Sequence, residues 1–288
     1  MQKVSAREPT AVPPASILSE NNKLPRWSII VPAYNEELRI LSYLRAVTAY
    51  FDFRGEHYEV IVVDDGSQDG TAVTIESLQK VCQSLRFIRL PYNRGKGYAV
   101  RTGMLAAKGT LRLFADADGA TPIEEVAKLE DQLAAGADVA IGSRALRDPM
   151  CNLQARWQRR IFGRVFNTIM KRMGVRGIAD TQCGFKLFRA HVATDLFSIG
   201  QIDRYGFDVE LLFVAQKRGY VIAEVAVNWA DQPGSKVRII HDGLAMVSDS
   251  WRVRRNYRCG CYGPNTPFLQ TSLDTSFSFT LSEIKRGE

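Results

Sequence analysis

The sequence predicts an α/β fold on a mostly parallel central sheet with helices on both faces, and three observations carry that prediction. Short apolar runs alternate with segments of helical periodicity at the pitch of βαβ units, whose crossovers make the strands parallel. The runs are continuously apolar rather than alternating, as in IIVPA and VIVVDD, which implies that both faces of the sheet are covered. Three of the runs end directly in an acidic or polar cluster, the arrangement of a sheet that binds its ligand at the carboxyl ends of its strands.

In order along the chain, residues 1 to about 25 carry Pro, Ser, Asn and charge without periodicity and read as a disordered leader. WSIIVPAYN is a first strand, broken by Pro32 where it enters a loop. From Glu36 to Phe51, Leu38, Leu41, Leu44 and Val47 fall at helical spacing. YEVIVVDDGS is a second strand, Thr71 to Cys82 a helix, LRFIRL a third strand, and a further helix starts near Gly97. TLRLFADAD is the next strand, residues 122–135 a helix, and ADVAIGSR continues the sheet. On this reading residues 26–240 form one domain and 241–261 a basic C-terminal helix. The Ser-, Thr- and Pro-rich stretch 262–288 is a loose tail.

Composition narrows the function. The chain has 288 residues and a formal charge of +7, which favours anionic partners. No stretch approaches about 18 consecutive apolar residues, so no membrane-spanning helix is expected. The N-terminal stretch lacks an apolar secretory core, and a cytoplasmic chain is expected. Five scattered cysteines without a CxxC pair, and three histidines, exclude a structural zinc site and suggest reduced thiols.

The polar clusters are Pro32-Ala33-Tyr34-Asn35-Glu36, Asp64-Asp65-Gly66-Ser67 and Asp116-Ala117-Asp118. Brought to one rim, five acidic residues repel one another unless a cation intervenes. Hard carboxylate oxygens suit Mg²⁺ or Mn²⁺, which bind one or two carboxylates and complete their shell with substrate phosphates and water.

VPAYNEE, VVDDGSQDGT, NRGKGYAVRTG and the Asp116-Ala117-Asp118 triplet resemble the inverting glycosyltransferases of family 2, which have the GT-A (Rossmann-like) fold, over roughly residues 27 to 240. The resemblance implies a nucleoside-diphosphate sugar donor, a divalent cation and one displacement that inverts the anomeric carbon. It places Pro32, Tyr34, Glu36 and Asp65 around the base and ribose. Asp116 and Asp118 then face the ribose and diphosphate, with Asp118 the direct metal ligand. Lys96, in a glycine-flanked loop, is suited to reach phosphate, and Arg94 to hold the nucleobase. Gly234-Ser235-Lys236 matches a stretch found where polyprenyl phosphates are glycosylated, and makes Ser235 and Lys236 candidates for closing over the diphosphate.

DTQCGFKLF and YGFDVELL resemble the family branch that glycosylates dolichyl and other polyprenyl phosphates, and FDVELL followed by NWADQPGSKV leans toward its glucosyltransferases. Arg144, Gln182 and Lys186 become candidate contacts to an acceptor phosphate. Asp208 and Glu210 stand two positions apart on a helix and point in different directions, so one of them, Asp208, is assigned to the site. A phosphate acceptor is already an anion, and Asp208 then positions it rather than acting as a base. UDP-glucose is the preferred donor and GDP-mannose the second. A soluble enzyme of the same family with a non-lipid acceptor is the alternative, and an inactive sugar-nucleotide sensor a further one.

From Arg144 to Arg176 nine basic residues face one acid. Within this stretch Trp157, Ile161, Phe162, Val165, Phe166, Ile169, Met170 and Met173 share one face of a helix at about 155–173. Such a basic amphipathic helix suits an anionic membrane surface, here the cytosolic face, or equally packs on the domain and offers arginines to a phosphate. Arg252, Arg254, Arg255 and Arg258 form a second basic patch. No nucleic-acid module is recognisable, and nucleic acid is not an expected partner.

Overall fold

Pro32 and its neighbours in β1 (Trp27–Ala33) are buried along the whole strand, as are those of β2 (Tyr58–Asp64), and the other elements assemble around these two strands. The computed structural model describes residues 24–146, 148–149, 151, 153–154, 175–232 and 239–264. Between β1 and β2 lies α1 (Ile40–Phe53), followed by α2 (Thr71–Gln79), β3 (Leu85–Arg89), α3 (Lys96–Ala106) and β4 (Leu111–Ala115). A 3₁₀ turn (Ile123–Glu125) leads into α4 (Val126–Ala134) and β5 (Val139–Ser143). Then come β6 (Leu153–Gln154), β7 (Phe185–Arg189), α5 (Ala190–Ile199), α6 (Phe207–Lys217), β8 (Ile222–Ala226), β9 (Trp229–Ala230) and α7 (Ile239–Arg258).

The main sheet has the order β3-β2-β1-β4-β7-β5-β8, and β6 pairs with β9 in a small second sheet. Every pairing in the main sheet is parallel except those of β7, which runs antiparallel to both β4 and β5. The strand β7 lies in a stretch that the sequence offers only as a motif, because Lys186 and Arg189 interrupt its apolar run. The mostly parallel sheet is as expected; the antiparallel insertion is new.

Alternate residues of the apolar strands serve opposite faces. Ile29 and Val31 pack with Leu44, Val47 and Phe51 of α1, Ile75 of α2 and Leu129 of α4. Ile30 packs with Val100 and Met104 of α3 and with residues of α5 and α6 on the other face. A period of two survives inside strands that read as continuously apolar, because each face has its own helical layer. The helix α3 sits closest: a Cβ on Gly103 would lie 2.5 Å from Ile30 Cγ2 and 3.1 Å from Val63 Cγ2.

Beneath the carboxyl edge the sheet carries charge. Lys186 is fully buried, and its Nζ reaches Asp208 Oδ1 on α6 at 2.5 Å and the Cys183 carbonyl at 2.6 Å. A second buried cluster closes the far end, where Tyr220 Oη donates to Asp195 Oδ2 (2.8 Å), Arg218 pairs with the same carboxylate, and Arg218 donates to the Tyr262 carbonyl (2.6 Å). Among the described residues no helix is long and apolar enough to cross a membrane. The expected leader 1–25 up to residue 23, the amphipathic helix near 155–173, Ser235, Lys236 and the expected tail 262–288 from residue 265 on lie outside the described residues.

Two stability measurements check this packing. Gly103→Val should lower the unfolding free energy by about 2 kcal/mol in urea, since α3 must retreat from β1; an unchanged midpoint would contradict the close approach. Lys186→Met should cost about 3 kcal/mol by leaving the Asp208 carboxylate uncompensated, and adding Asp208→Leu should recover most of that loss. If the double variant is no more stable than the single one, the pair is not what the site rests on.

Candidate active site

From the adjacent strands β1 and β4 the chain runs on toward opposite edges of the sheet, to β2 and to β5, and the crevice between their carboxyl ends is the expected ligand site. Past β1 the chain turns at Asn35, whose φ of 54° lies in the left-handed region that Asn tolerates. Its amide N–H donates to Ser67 Oγ (2.8 Å), and its side-chain oxygen accepts the Gln68 N–H (2.9 Å). The loops after β1 and β2 are thereby cross-linked. Glu36, expected near the ribose, is forked onto Arg39 at 2.7 Å by two hydrogen bonds, and its N–H donates to Thr71 Oγ1 (2.7 Å). Pro32 is buried in β1, and Tyr34 is half-buried just past the strand.

The two aspartates after β2 divide their work. Asp64, fully buried, accepts the Ser67 N–H (3.0 Å) and hydroxyl and shapes the turn. Asp65 bridges to the next loop, accepting the N–H groups of Arg94 (2.7 Å) and Gly95 (2.8 Å). Burial raises the Asp65 carboxyl, and those two N–H groups pull against it. Arg94 lays its guanidinium 3.7 Å over the Tyr98 ring in the first turn of α3. Between these loops opens a cleft of about 450 Å³ lined by Tyr34, Ser67, Gln68, Leu90, Tyr92 and their neighbours. A Cβ on Gly66 (φ 72°) would come within 2.7 Å of the Tyr92 backbone, so this turn needs glycine.

Past β4, the Asp116 N–H donates to the Gly184 carbonyl (3.0 Å), and its Oδ1 pairs with Lys96 Nζ at 2.6 Å. A side chain at Gly184 would overlap the Asp116 carboxylate. Asp118 Oδ1 accepts the Ala120 N–H at 3.0 Å. Burial and then the neighbouring Asp116 push the Asp118 carboxyl up, and the Tyr43 phenol is pushed far up by burial and by both aspartates. The rim is thus short of positive charge. Burial alone would lower the Lys96 ammonium, but Asp116 and Asp208 outweigh it and hold the group well above its usual value. Lys96 and Lys186 both stand over the Phe114 ring, at 5.2 and 5.7 Å.

Asp116 and Asp118 offer hard oxygens, and both are half-buried at the edge of the sheet. Among the described residues no third His, Cys, Asp or Glu joins them into a closed cage. That donor set fits Mg²⁺ or Mn²⁺, which leave most of their shell to phosphates and water.

The remaining candidates have mixed placements. Asp208 is 3 % exposed and faces Lys186; burial raises its carboxyl, against Lys186 and Lys96. Glu210 turns away, accepting the Gln201 and Ile202 N–H groups and the Tyr262 hydroxyl (2.7 Å). Lys186, expected at an acceptor phosphate, is directed inward with no exposure. Arg144 is committed to Asp180, through Nε (2.7 Å), a terminal nitrogen (2.9 Å) and its backbone N–H (3.0 Å). Burial opposes the Asp180 charge, yet Arg144 holds that carboxyl at about 2. The Gln182 Nε2 is buried without a hydrogen-bond partner among the described residues. Sequence reasoning missed Phe114, Asp180 and Tyr98. None of the three had a local signal in its spacing, since Arg94 precedes α3 and meets Tyr98 only through the turn at Gly95.

The geometry agrees with known proteins. A model of glycosyl transferase family 2 matches residues 28–197. Similar proteins include the dolichyl-phosphate beta-glucosyltransferases of Dictyostelium discoideum (37% identity over 247 residues, 82% of this chain and 76% of the relative) and Mus musculus (41% over 252 residues, 82% and 76%). That of Saccharomyces cerevisiae is 35% identical over 259 residues, covering 83% of this chain and 77% of the relative. Among solved structures, glucosyl-3-phosphoglycerate synthase from Mycobacterium tuberculosis in complex with UDP superposes with a TM-score of 0.60 at 20% identity, covering 82% of this chain and 80% of that one. The same enzyme in complex with Mn²⁺, UDP and glucosyl-3-phosphoglycerate gives 0.58 at 20% identity, with the same coverage of 82% and 80%. At that identity the structures speak for the fold alone, while the sequence relatives carry the family. Carboxylates at the ends of β1, β2 and β4, on a GT-A sheet matched by the family model, make this chain a glycosyltransferase of family 2.

Proposed function

We propose that this chain transfers glucose from UDP-glucose to a polyprenyl phosphate of the dolichyl type, at the cytosolic face of a membrane and with Mg²⁺ or Mn²⁺ bound. The observation that carries the reading is the similarity to dolichyl-phosphate beta-glucosyltransferases over about four-fifths of the chain. The site supports it by setting Asp116, Asp118 and Lys96 together at the carboxyl edge, beside a cleft large enough for a nucleoside.

In the proposed reaction an oxygen of the acceptor phosphate attacks C1 of glucose, and the C1–O bond to the donor diphosphate breaks. The electron pair leaves with UDP, and the product is a glucosyl phosphate lipid. A β-linked product from an α-linked donor requires inversion, hence a single displacement. Asp116 and Asp118 are the residues to hold the cation, which supplies electrophilic stabilisation to the departing diphosphate. Lys96 is kept protonated by Asp116 and Asp208 and stands at the same edge, where it favours the developing charge. The acceptor phosphate is already ionised and needs no general base. Asp208, paired with Lys186 and almost wholly buried, is suited to position that edge rather than to shuttle a proton. Arg94, stacked on Tyr98 next to Asp65, is placed to border the base.

Two experiments test this. In thermal-shift titrations with Mn²⁺, UDP should raise the melting temperature and GDP should not; the reverse would transfer the assignment to a GDP-mannose donor. With UDP-glucose and a polyprenyl phosphate, EDTA should stop turnover, and Asp118→Ala should lower kcat about a hundredfold or more without shifting the thermal midpoint downward. Wild-type turnover by Asp118→Ala would remove the metal assignment.

A further inference from the structure

The helix α7 leaves one face uncovered. Ser248, Trp251, Arg252, Arg255 and Arg258 are exposed at helical spacing, while Ser250, Val253 and Asn256 on the other side are buried against the domain. The Tyr257 ring packs edge-on against Phe213 of α6 at 5.3 Å, so the helix is fixed by its inner side. Trp251 is 64% exposed, whereas Trp27 and Trp229 are buried. Among the described residues the outward face therefore joins one large aromatic side chain to three arginines, with no acid on it. Asp249, the nearest acid, points instead at the Gly206 turn, where a Cβ would overlap its side chain. Gly206 caps α6, and Asp208 lies in the first turn of that helix. The basic face is consequently attached to the edge of the active site by direct packing.

We propose that this face of α7 docks on an anionic lipid bilayer, with Trp251 at the level of the headgroups and Arg252, Arg255 and Arg258 on lipid phosphates. The choice of a bilayer over another polyanion rests on the lipid-acceptor reading above. Charge complementarity and an exposed indole suit the membrane–water interface, where Trp is preferred and each nearby arginine adds about fivefold in binding. Docking there would hold the Asp208 end of α6 toward the surface that carries the acceptor.

The test is sedimentation of the full chain with vesicles of phosphatidylcholine containing roughly a quarter phosphatidylserine, a composition that gives the surface a negative potential. The wild type should bind, more weakly as salt rises, and Trp emission should shift to the blue. R252E/R255E/R258E should weaken binding roughly a hundredfold, and Trp251→Phe should remove most of the shift. The triple variant should keep wild-type turnover of a short-chain polyprenyl phosphate in detergent, and lose turnover of the same acceptor embedded in vesicles. Undiminished vesicle binding by the triple variant would overturn the proposal, as would wild-type binding to RNA or an acidic protein but not to vesicles. A chain that binds vesicles through this face yet turns over no polyprenyl phosphate would refute the function and leave the docking surface standing.

Discussion

Two lysines and two aspartates share the ground beneath the carboxyl edge of the sheet, and their mutual neutralisation permits a charged site on an otherwise apolar core. Asp116 faces Lys96, Asp208 faces Lys186, and Phe114 lies under both ammonium groups. Burial pushes the Asp208 carboxyl up and works against the Lys96 ammonium. Arranged with opposite charges adjacent, the four offset one another. Removal of Lys186 or Asp208 leaves a buried charge unpaired, which costs far more than the intact pair contributes, whereas Lys96 and Asp116 are only half-buried. The elements that supply them, β4, α3, β7 and α6, are therefore held in a fixed relation by electrostatics as well as by packing.

Glycine makes that relation geometrically possible. Gly184 leaves room for the Asp116 carboxylate, and Gly97 lets the first turn of α3 approach Ile202 and Phe207 closely enough that a Cβ would fall 2.7 Å from each. The GKG sequence that introduces Lys96 is thus a docking surface for the 200–207 segment. Glu210 secures the same segment from behind by accepting the N–H groups of Gln201 and Ile202. The two acids of FDVELL serve different neighbours: one faces Lys186, and the other tethers a loop and Tyr262.

Asp65 shows what the structure adds to a motif residue. The sequence sets it at the rim with the nucleotide; the structure gives its carboxylate to the backbone of Arg94 and Gly95, so it shapes the loop that borders the cleft. Glu36 is likewise spent on Arg39, and Arg144 on Asp180. In each case a charged group near a site has found a partner within the protein, because an unpaired charge half-removed from water is unstable. Which residue partners which could not be read from spacing. Arg144 and Asp180 are far apart in the chain, and nothing local links them.

By itself the sequence determined the layered α/β architecture, the strand ends that carry acids and the family, since these depend on apolar periodicity and on short contiguous motifs. Those are local signals, set by hydrogen-bond period and by which side chains must leave water. Only the tertiary structure decided that β7 enters antiparallel between β4 and β5, that Lys186 turns inward to Asp208, and that α7 keeps a basic, aromatic face to solvent. A lysine inside a strand reads as a surface residue until a carboxylate from a distant helix is brought to it. That meeting is a property of how the layers stack, and no segment encodes it alone.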